Sequence, residues 1–264
     1  MKLPSTTTLL LEVCDFSLRI TLNRPASRNA MSLEMVTELR EVFSLLRQQT
    51  AIRAVVIRGA DGHFCAGGDI KDMAAARSVG VNAYRELNRA FGSMLEEAQQ
   101  LPQVVIAVLE GAVLGGGFGL ACVSDIAIAS HAAKFGLPET TLGILPAQIA
   151  PFVAKRIGLT QARRLALTAA RFGGEEAVSL GLVHFSEPDN AALEQRLAAT
   201  LANIQRCAPA ANAATKALLL RTEQEPLGEL LDAAAEQFAE SVVSAEGAEG
   251  TLAFVQKRAP SWAQ

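Results

Sequence analysis

The chain has 264 residues, half of them apolar, and a formal net charge of −3 at pH 7. This length allows one large domain or two unequal ones, and a weakly acidic chain without long single-sign runs gives no indication of a nucleic-acid partner. No apolar run reaches the roughly 18 to 20 residues that a membrane span needs, and the first residues, MKLPSTTTLLLEVCDFS, do not read as a signal peptide. We therefore expect a cytoplasmic protein with neither a membrane nor a nucleic-acid partner.

The cysteines and histidines are scattered along the chain. The four cysteines form no CxxC pair, and the three histidines are far apart in sequence. Reduced, mostly buried thiols are the expectation for this pattern. A metal site is not expected from residues so widely spaced.

The beginning of the chain reads as a β-hairpin followed by a helix and a strand. Residues 8–14 and 17–22 are largely apolar runs separated by two residues, which predicts two hairpin strands. Ser32 is predicted to cap a helix whose apolar residues recur at helical spacing. Residues 53–58 then form a short apolar strand.

The middle of the chain repeats the order of strand, glycine loop, helix and strand. The pattern predicts a loop at 64–69, helices at 81–100, 118–123, 158–168 and 174–180, and strands at 103–109, 125–129 and 181–186. From residue 190 onward almost every segment reads as helical. We therefore expect an α/β core over residues 1–200 and a helical C-terminal region over residues 201–264.

A run of glycines follows one of the most apolar segments. The sequence VLGGGFGLAC (113–122) lacks the P-loop lysine, which Gly117 replaces, and the third Rossmann glycine, which Leu120 replaces. What remains is a bend between a buried strand and a helix, whose N–H groups suit a negatively charged oxygen. Close helix–strand packing without chemistry is the alternative, and the glycine run alone does not decide between them.

A second glycine loop and one glutamate favour the chemical interpretation. The segment FCAGGDI (64–70) also follows an apolar strand, so each loop can supply one N–H donor to a single carbonyl oxygen. The segment KFGLPETTLGILP (134–146) holds Glu139 in an otherwise apolar stretch. A lone glutamate is usually a solvated surface group, but apolar neighbours raise the pKa of a carboxyl toward that of a general acid or base.

Four ordered motifs resemble the crotonase superfamily of acyl-coenzyme A enzymes, that is, enoyl-CoA hydratases and isomerases. They are LNRPASRNAM (22–31), FCAGGDIKDM (64–73), EGAVLGGGFGLACVSDIAIAS (110–130) and KFGLPETTLGILP (134–146), and ARRLALTAARFGGEEAVSLGLV (162–183) extends the match. The resemblance implies a crotonase spiral of ββα units, a helical C-terminal trimerisation region, and a trimer or a dimer of trimers. It also implies an acyl-CoA substrate, with coenzyme A as part of the substrate and no separate cofactor.

The same resemblance implies roles for the matched residues. It puts the oxyanion-hole donors at the backbone N–H groups of Gly68 and Gly116 and the acid/base at Glu139. The implied coenzyme A site is made of Ala26, Arg28, Ala30, Ala66 and Ile70, with Lys71 and Lys257 as contacts to the phosphates. Ordinary solvated lysines are an equally good interpretation of the last two.

Further candidates lie near these motifs. The acyl pocket is assigned to Gly119, Gln148, Phe152, Tyr84 and Phe91, with core packing as the alternative for Phe152. His63 precedes the first glycine loop and is a candidate neighbour of coenzyme A, with a simply solvated histidine as the alternative.

One departure from the superfamily pattern points to a substrate. Typical hydratases carry two glutamates, in GGGxE and GxPE, and here Gly119 stands in place of the first. The segment 144–172 resembles bacterial 3-methylglutaconyl-CoA hydratases and their isohexenylglutaconyl-CoA relatives, which act in leucine and acyclic-terpene breakdown. A glutaconyl substrate brings its own distal carboxylate, so the loss of one glutamate would make room and avoid a like-charge contact.

We therefore expect a hydro-lyase that hydrates a 3-branched glutaconyl-CoA, with the isohexenyl ester preferred over the 3-methyl ester. The alternatives are a Δ3,Δ2-enoyl-CoA isomerase, an acyl-CoA decarboxylase that uses the same oxyanion hole, and a non-catalytic acyl-CoA-binding protein.

Overall fold

A computed structural model describes residues 2–69, 71, 72, 74 and 80–263 of the chain. Within these residues eight strands form two sheets. In chain order they are β1 (Leu9–Cys14), β2 (Ser17–Leu22), β3 (Ala54–Gly59), β4 (Val104–Leu109), β5 (Ala112–Leu114), β6 (Ile126–Ser130), β7 (Lys134–Gly136) and β8 (Phe185–Glu187).

The larger sheet has six strands in the order β1-β2-β3-β4-β6-β8. β1 and β2 form the predicted antiparallel hairpin, and every other neighbouring pair is parallel. The carboxyl ends of parallel strands meet at one edge of a sheet, where α/β proteins bind their ligands. The loops that leave β3 and β4 at this edge carry the two glycine segments.

The smaller sheet forms a second layer built by successive turns of the chain. β5 pairs with β7 in parallel, with Val113 opposite Phe135. Single bridges extend this row on both sides, from Cys65 to Val113 and from Phe135 to Phe172. Each turn therefore contributes first to the large sheet and then to the second layer, which confirms the predicted α/β spiral of ββα units.

The helices follow the predicted order. They are α1 (Leu33–Leu46), α2 (Val81–Gln99), α3 (Gly116–Val123), α4 (Ala150–Thr168), α5 (Gly174–Ser179), α6 (Asn190–Gln205), α7 (Pro209–Arg221), α8 (Leu227–Val243) and α9 (Ala245–Val255). Ser32 caps α1 as predicted, because its side chain accepts a hydrogen bond from the Met35 N–H at 3.2 Å.

Several boundaries differ from the sequence prediction. α4 begins at Ala150, but its helical geometry breaks at Gly158, which has a φ of 76° and a ψ of 152° and kinks α4 into two helical segments. The predicted start at Gly158 therefore matches the second segment, and the first segment, from Ala150, was not predicted. Pro151 in the first turn suits this earlier start, since its fixed φ is already helical. β5 and β7 were not predicted, because strands of three residues are recognisable only by their pairing partners.

The predicted boundary after residue 200 is wrong, because it falls inside α6. This helix buries Leu193, Leu197 and Ile204 against β3, β4 and β6. It therefore covers one face of the large sheet and belongs to the α/β core.

The next helix, α7, is fastened to the sheet through a largely buried ion pair. The Lys216 ammonium lies 2.6 Å from a carboxylate oxygen of Asp125, and it also donates to the Gln103 carbonyl at 3.1 Å. The same Asp125 oxygen accepts the Val105 N–H at the start of the β4 strand. The helical C-terminal region is thus tied to the end of the sheet opposite the glycine loops.

Candidate active site

The two glycine loops lie side by side. The Cys65 N–H donates to the Ala112 carbonyl at 2.8 Å, and the Leu114 N–H donates to the Cys65 carbonyl at 2.9 Å. A Cβ built on Gly115 would lie only 3.4 Å from the Gly67 Cα. Backbone pairing therefore brings together two loops that are about fifty residues apart in sequence.

The backbone N–H groups of Gly68 and Gly116 are among those at this junction that donate to no backbone acceptor within the described residues. Gly116 is the first residue of α3, where an N–H has no partner inside its own helix and the helix dipole favours negative charge. A Cβ on Gly116 would lie 3.2 Å from the Phe91 ring, so the bare backbone also allows a close approach of α2.

Glu139 reaches this junction from a third segment. It begins a short 3₁₀ turn, Glu139–Leu142, and its Oε1 lies 2.9 Å from where a Cβ on Gly115 would be. Gly115 has a φ of 48°, which glycine adopts without strain. The loop thus requires glycine here both for its backbone conformation and for the approach of the carboxyl.

The environment of Glu139 suits proton transfer. Burial raises the pKa of its carboxyl, and the glutamate's own N–H and the charge of Arg171 oppose this only in part. Its Oε2 is buried and has no hydrogen-bond partner within the described residues. A buried carboxyl oxygen without a partner is costly, so this atom needs a substrate group or a water molecule.

The surroundings of Gly119 correct the expectation that the missing glutamate makes room for a substrate carboxylate. A Cβ built on Gly119 would lie 2.3 Å from Ile149 Cγ2 and 3.1 Å from Leu95 Cδ1. Both side chains are almost fully buried. Gly119 therefore does not leave open space for a substrate carboxylate in the direction where a side chain would point, because two apolar side chains fill it.

The other acyl-pocket candidates lie at different places on the wall formed by α2 and the segment after Glu139. Phe91 is half-buried against the Gly116 backbone, and Gln148 rests on α2 at Gly92. Tyr84 lies in the first turn of α2, about two turns before Phe91, and is 37% exposed. Phe152 packs against the main core, as its alternative interpretation stated.

Most of the implied coenzyme A residues do come together. The Ala66 N–H donates to the Arg28 carbonyl at 3.0 Å, and a guanidinium N–H of Arg24 donates to the Ala30 carbonyl. Ala26 lies in the exposed 3₁₀ turn Pro25–Ser27 of the same loop. This loop therefore lies directly beside the first glycine loop.

An ion pair joins the loop that contains Ala26 to the first glycine loop. Arg24 lies 2.6 Å from the Asp69 carboxylate. Burial raises the pKa of Asp69, but the hydrogen bonds from Arg24 and from the Lys71 N–H outweigh it, so this pKa lies below its usual value. Asp69 thus stays ionised and holds Arg24.

The remaining coenzyme A candidates are placed differently. The Lys71 side chain is exposed next to this ion pair, whereas Lys257 lies beyond α9. No hydrogen bond or ion pair between described residues connects Lys257 to the loop. Ile70 falls outside the described residues.

His63 has a role that neither interpretation of the sequence gave. Its Nδ1 accepts the Ala112 N–H at 3.1 Å, and its carbonyl accepts a hydrogen bond from the Asn29 side chain at 2.6 Å. It is half-buried between the loops and positions their backbones. Arg171, Leu95 and Ile149 were also missed, since nothing local to them in the sequence marks a contact with a glycine or with Glu139.

Two surface cavities lie away from this junction. One, of about 400 Å³, is lined by residues of the β8 edge such as His131 and His184, and the other, of about 300 Å³, lies where α6 and α7 meet the sheet. Neither is lined by the glycine loops or by Glu139. The candidate site is identified by its converging donors and carboxyl.

Comparisons with known proteins agree with this geometry. A family model described as "Enoyl-CoA hydratase/isomerase" matches residues 17–264. The chain is similar to a probable enoyl-CoA hydratase of Rhodobacter capsulatus, with 33% identity over 254 residues that cover 96% of each chain.

Two solved structures are more similar in sequence. Pseudomonas aeruginosa AtuE is 72% identical with a TM-score of 0.97, covering 98% of this chain and all of that one. An enoyl-CoA hydratase/isomerase from Marinobacter aquaeolei is 56% identical with a TM-score of 0.96, covering 97% of this chain and 99% of that one.

Proposed function

The chain belongs to the enoyl-CoA hydratase/isomerase family, and on this premise we propose that it adds water to the 2,3 double bond of a 3-branched glutaconyl-CoA. It is an enzyme of the hydro-lyase type with an acyl-CoA substrate. The proposed preference is for isohexenylglutaconyl-CoA over 3-methylglutaconyl-CoA, in acyclic-terpene or leucine breakdown. Coenzyme A enters as part of the substrate, and the proposal invokes no other cofactor.

The observation that carries this proposal is the buried carboxyl of Glu139 at the junction of the glycine loops. Glu139 Oε2 is buried without a partner and Oε1 faces Gly115, so the carboxyl is available to a reacting molecule. Its raised pKa makes it a better base than an exposed carboxylate and lets it return the proton. Gly119, at the position of the first family glutamate, brings no carboxylate, and the described side chains nearest to it, Ile149 and Leu95, are apolar.

Each step of the proposed hydration has a group to perform it. Glu139 accepts a proton from water while the water oxygen forms a bond to C3, and the electrons of the double bond move through C2 onto the thioester oxygen. The N–H groups of Gly68 and Gly116 stabilise that oxyanion. Protonated Glu139 then gives its proton to C2, which restores both the thioester and the carboxylate.

A substrate that carries its own carboxylate is compatible with a site that has one glutamate. Two carboxylates and a substrate carboxylate together would repel each other in a poorly solvated cleft. With Gly119 in place of the first glutamate, one source of this repulsion is absent. The support is therefore electrostatic rather than steric, because Ile149 and Leu95 occupy the space beside Gly119.

A Δ3,Δ2-enoyl-CoA isomerase is the second candidate, and the same lone carboxyl favours it. One base between two carbon atoms suffices to move a proton from C2 to C4, with the same oxyanion stabilised by Gly68 and Gly116. Decarboxylation of the acyl chain would also use this oxyanion hole. The three reactions differ in the mass of the product.

The test is a product-mass assay on isohexenylglutaconyl-, 3-methylglutaconyl- and crotonyl-CoA, with E139Q as the matched inactive control. Hydration adds one water, isomerisation leaves the mass unchanged, and decarboxylation removes carbon dioxide. We expect water to be added to the two glutaconyl esters much faster than to crotonyl-CoA. An unchanged mass with a moved double bond would favour the isomerase and refute the hydratase.

A homotrimer or a dimer of trimers is the proposed assembly. Exposed apolar side chains concentrate on the C-terminal helices, with Phe238 71% exposed on α8 and Phe254 85% exposed on α9. Exposed patches of this kind mark protein–protein contacts, so these helices are the proposed contact surface.

We also propose a cytoplasmic location, supported by four cysteines that are all unpaired. In the described part of the chain, no helix has both the length and the apolar character that crossing a bilayer requires.

A further inference from the structure

One half-buried amide beside the candidate site has no assigned task. Gln148 follows Glu139 by nine residues, and its side chain makes no hydrogen bond to any described residue. It fills a notch in α2: a Cβ built on Gly92 would lie 1.9 Å from Gln148 Oε1 and 2.8 Å from its Cδ. Glycine inside a helix is less stable than alanine, and the approach of this amide is the packing reason for Gly92.

The carbonyl end of the amide points toward α2. Gln148 Oε1 is the atom nearest the notch, and Arg89 Nη1 lies 2.9 Å from the same point. Arg89 is bound through its other nitrogen, Nη2, to Glu96 at 2.8 Å, and it makes no hydrogen bond to Gln148 within the described residues. The NH₂ group lies on the far side of the amide, turned away from Gly92.

This orientation limits what Gln148 can do. The end that faces away from α2 donates hydrogen bonds and cannot accept a proton. It therefore cannot replace the missing glutamate as a base. It can bind an oxygen anion, and hydrogen bonds to a charged acceptor are stronger than those between neutral groups.

The residues next to Gln148 place it at the acyl end of the site. Phe91 precedes Gly92 on α2 and rests on Gly116, whose N–H is one oxyanion donor. Ile149 follows Gln148 and rests on Gly119, one helical turn beyond Gly116. The amide thus lies in the wall beyond the thioester position, where the far end of a short acyl chain would reach.

We propose that the side-chain NH₂ of Gln148 binds the distal carboxylate of the substrate, with Gly92 leaving the space that the carbonyl end of the amide occupies. This inference rests on the proposed function, since it assumes a carboxylated acyl chain. It makes Gln148 a specificity-determining residue and Gly92 a positioning residue.

Binding of unreactive ligands tests the subsite separately from the reaction. 3-Methylglutaryl-CoA and isovaleryl-CoA are saturated esters that differ by the distal carboxylate, so the ratio of their Kd values, measured by calorimetry, reports recognition of that group alone. Wild-type protein should bind the carboxylated ester more tightly. Q148L should lower this preference about 10- to 100-fold, the range for one hydrogen bond to a charged group, while the Kd for isovaleryl-CoA stays within about twofold.

Three further variants sharpen the test. Q148E should reverse the preference, because it puts a second carboxylate against the ligand. G92A should lower it part of the way, because the new methyl group displaces Oε1. G228A is the matched control, since the space beside Gly228 on α8 is open, and it should leave the preference unchanged.

The outcomes separate this inference from the proposed reaction. Equal loss of both ligands in Q148L, or an unchanged preference, would overturn the role of Gln148 even if the product-mass assay shows hydration. A preference that depends on Gln148 would support the subsite even if that assay shows isomerisation. Wild-type protein that binds both saturated esters equally would refute the subsite outright.

Discussion

Adding a single methyl group at Gly119 tests whether protein atoms fill the space beside this residue. Carbon atoms in contact are normally about 3.5 to 4.0 Å apart, and the new Cβ would lie 2.3 Å from Ile149 Cγ2. Such overpacking costs about 1 to 3 kcal/mol, and the better helix propensity of alanine recovers up to about 1 kcal/mol. We expect G119A to lose about 1 to 2 kcal/mol of unfolding free energy.

A double-mutant cycle identifies Ile149 as the cause. I149A alone removes a buried side chain and should cost about 2 to 5 kcal/mol. In G119A/I149A the new methyl group occupies part of the vacated space. The double variant should therefore be more stable than the sum of the single changes predicts, by about 1 kcal/mol or more.

The assay is urea unfolding at a fixed protomer concentration, because association of subunits contributes to the measured stability. G228A, in the first turn of α8, provides the control, since its methyl group meets no atom of its own chain within 4 Å. If the effects of G119A and I149A add to within about 0.5 kcal/mol, the two positions are independent. The claim that Ile149 fills the space beside Gly119 would then be wrong.

Three further predictions concern the acid/base, pH and assembly. E139Q should lower kcat at least about 100-fold, and near-normal turnover would remove Glu139 from the mechanism. The same variant should be no less stable than wild type at pH 7, because burial raises the pKa of Glu139 and the charged carboxylate therefore opposes folding. Burial and the charge of Arg156 lower the pKa of His184, so its contribution to stability is present above about pH 6.5 and is lost as the pH falls through the lowered value. In thermal unfolding between pH 7 and pH 5, H184N should lose less stability than wild type, and an equal loss would contradict this. F238D should reduce the mass found by light scattering, whereas V81D, at a more exposed site on α2, should not. An oligomer that survives F238D would exclude α8 from the interface.

Local sequence was sufficient for much of the fold and for the reacting groups. The hairpin strands, the Ser32 cap and the helix at α2 follow from periodicity and capping within a few residues, and they were predicted nearly to the residue. The glycine loops and Glu139 were recognisable because each stands out against an apolar flank. The crotonase motifs then implied an α/β spiral of ββα units, which the structure confirms.

Contacts between distant segments decided the rest. From the sequence, Gly119 was expected to leave open space where the family glutamate side chain would be. Only the packing of α2 and α4 against α3 shows that Leu95 and Ile149 fill that space. The strand pair β5 and β7 and the role of His63 likewise depend on partners more than twenty residues away. A sequence records which side chain is missing at a position, whereas the tertiary structure alone decides which neighbour occupies the space, because that neighbour is fixed by packing rather than by chain order.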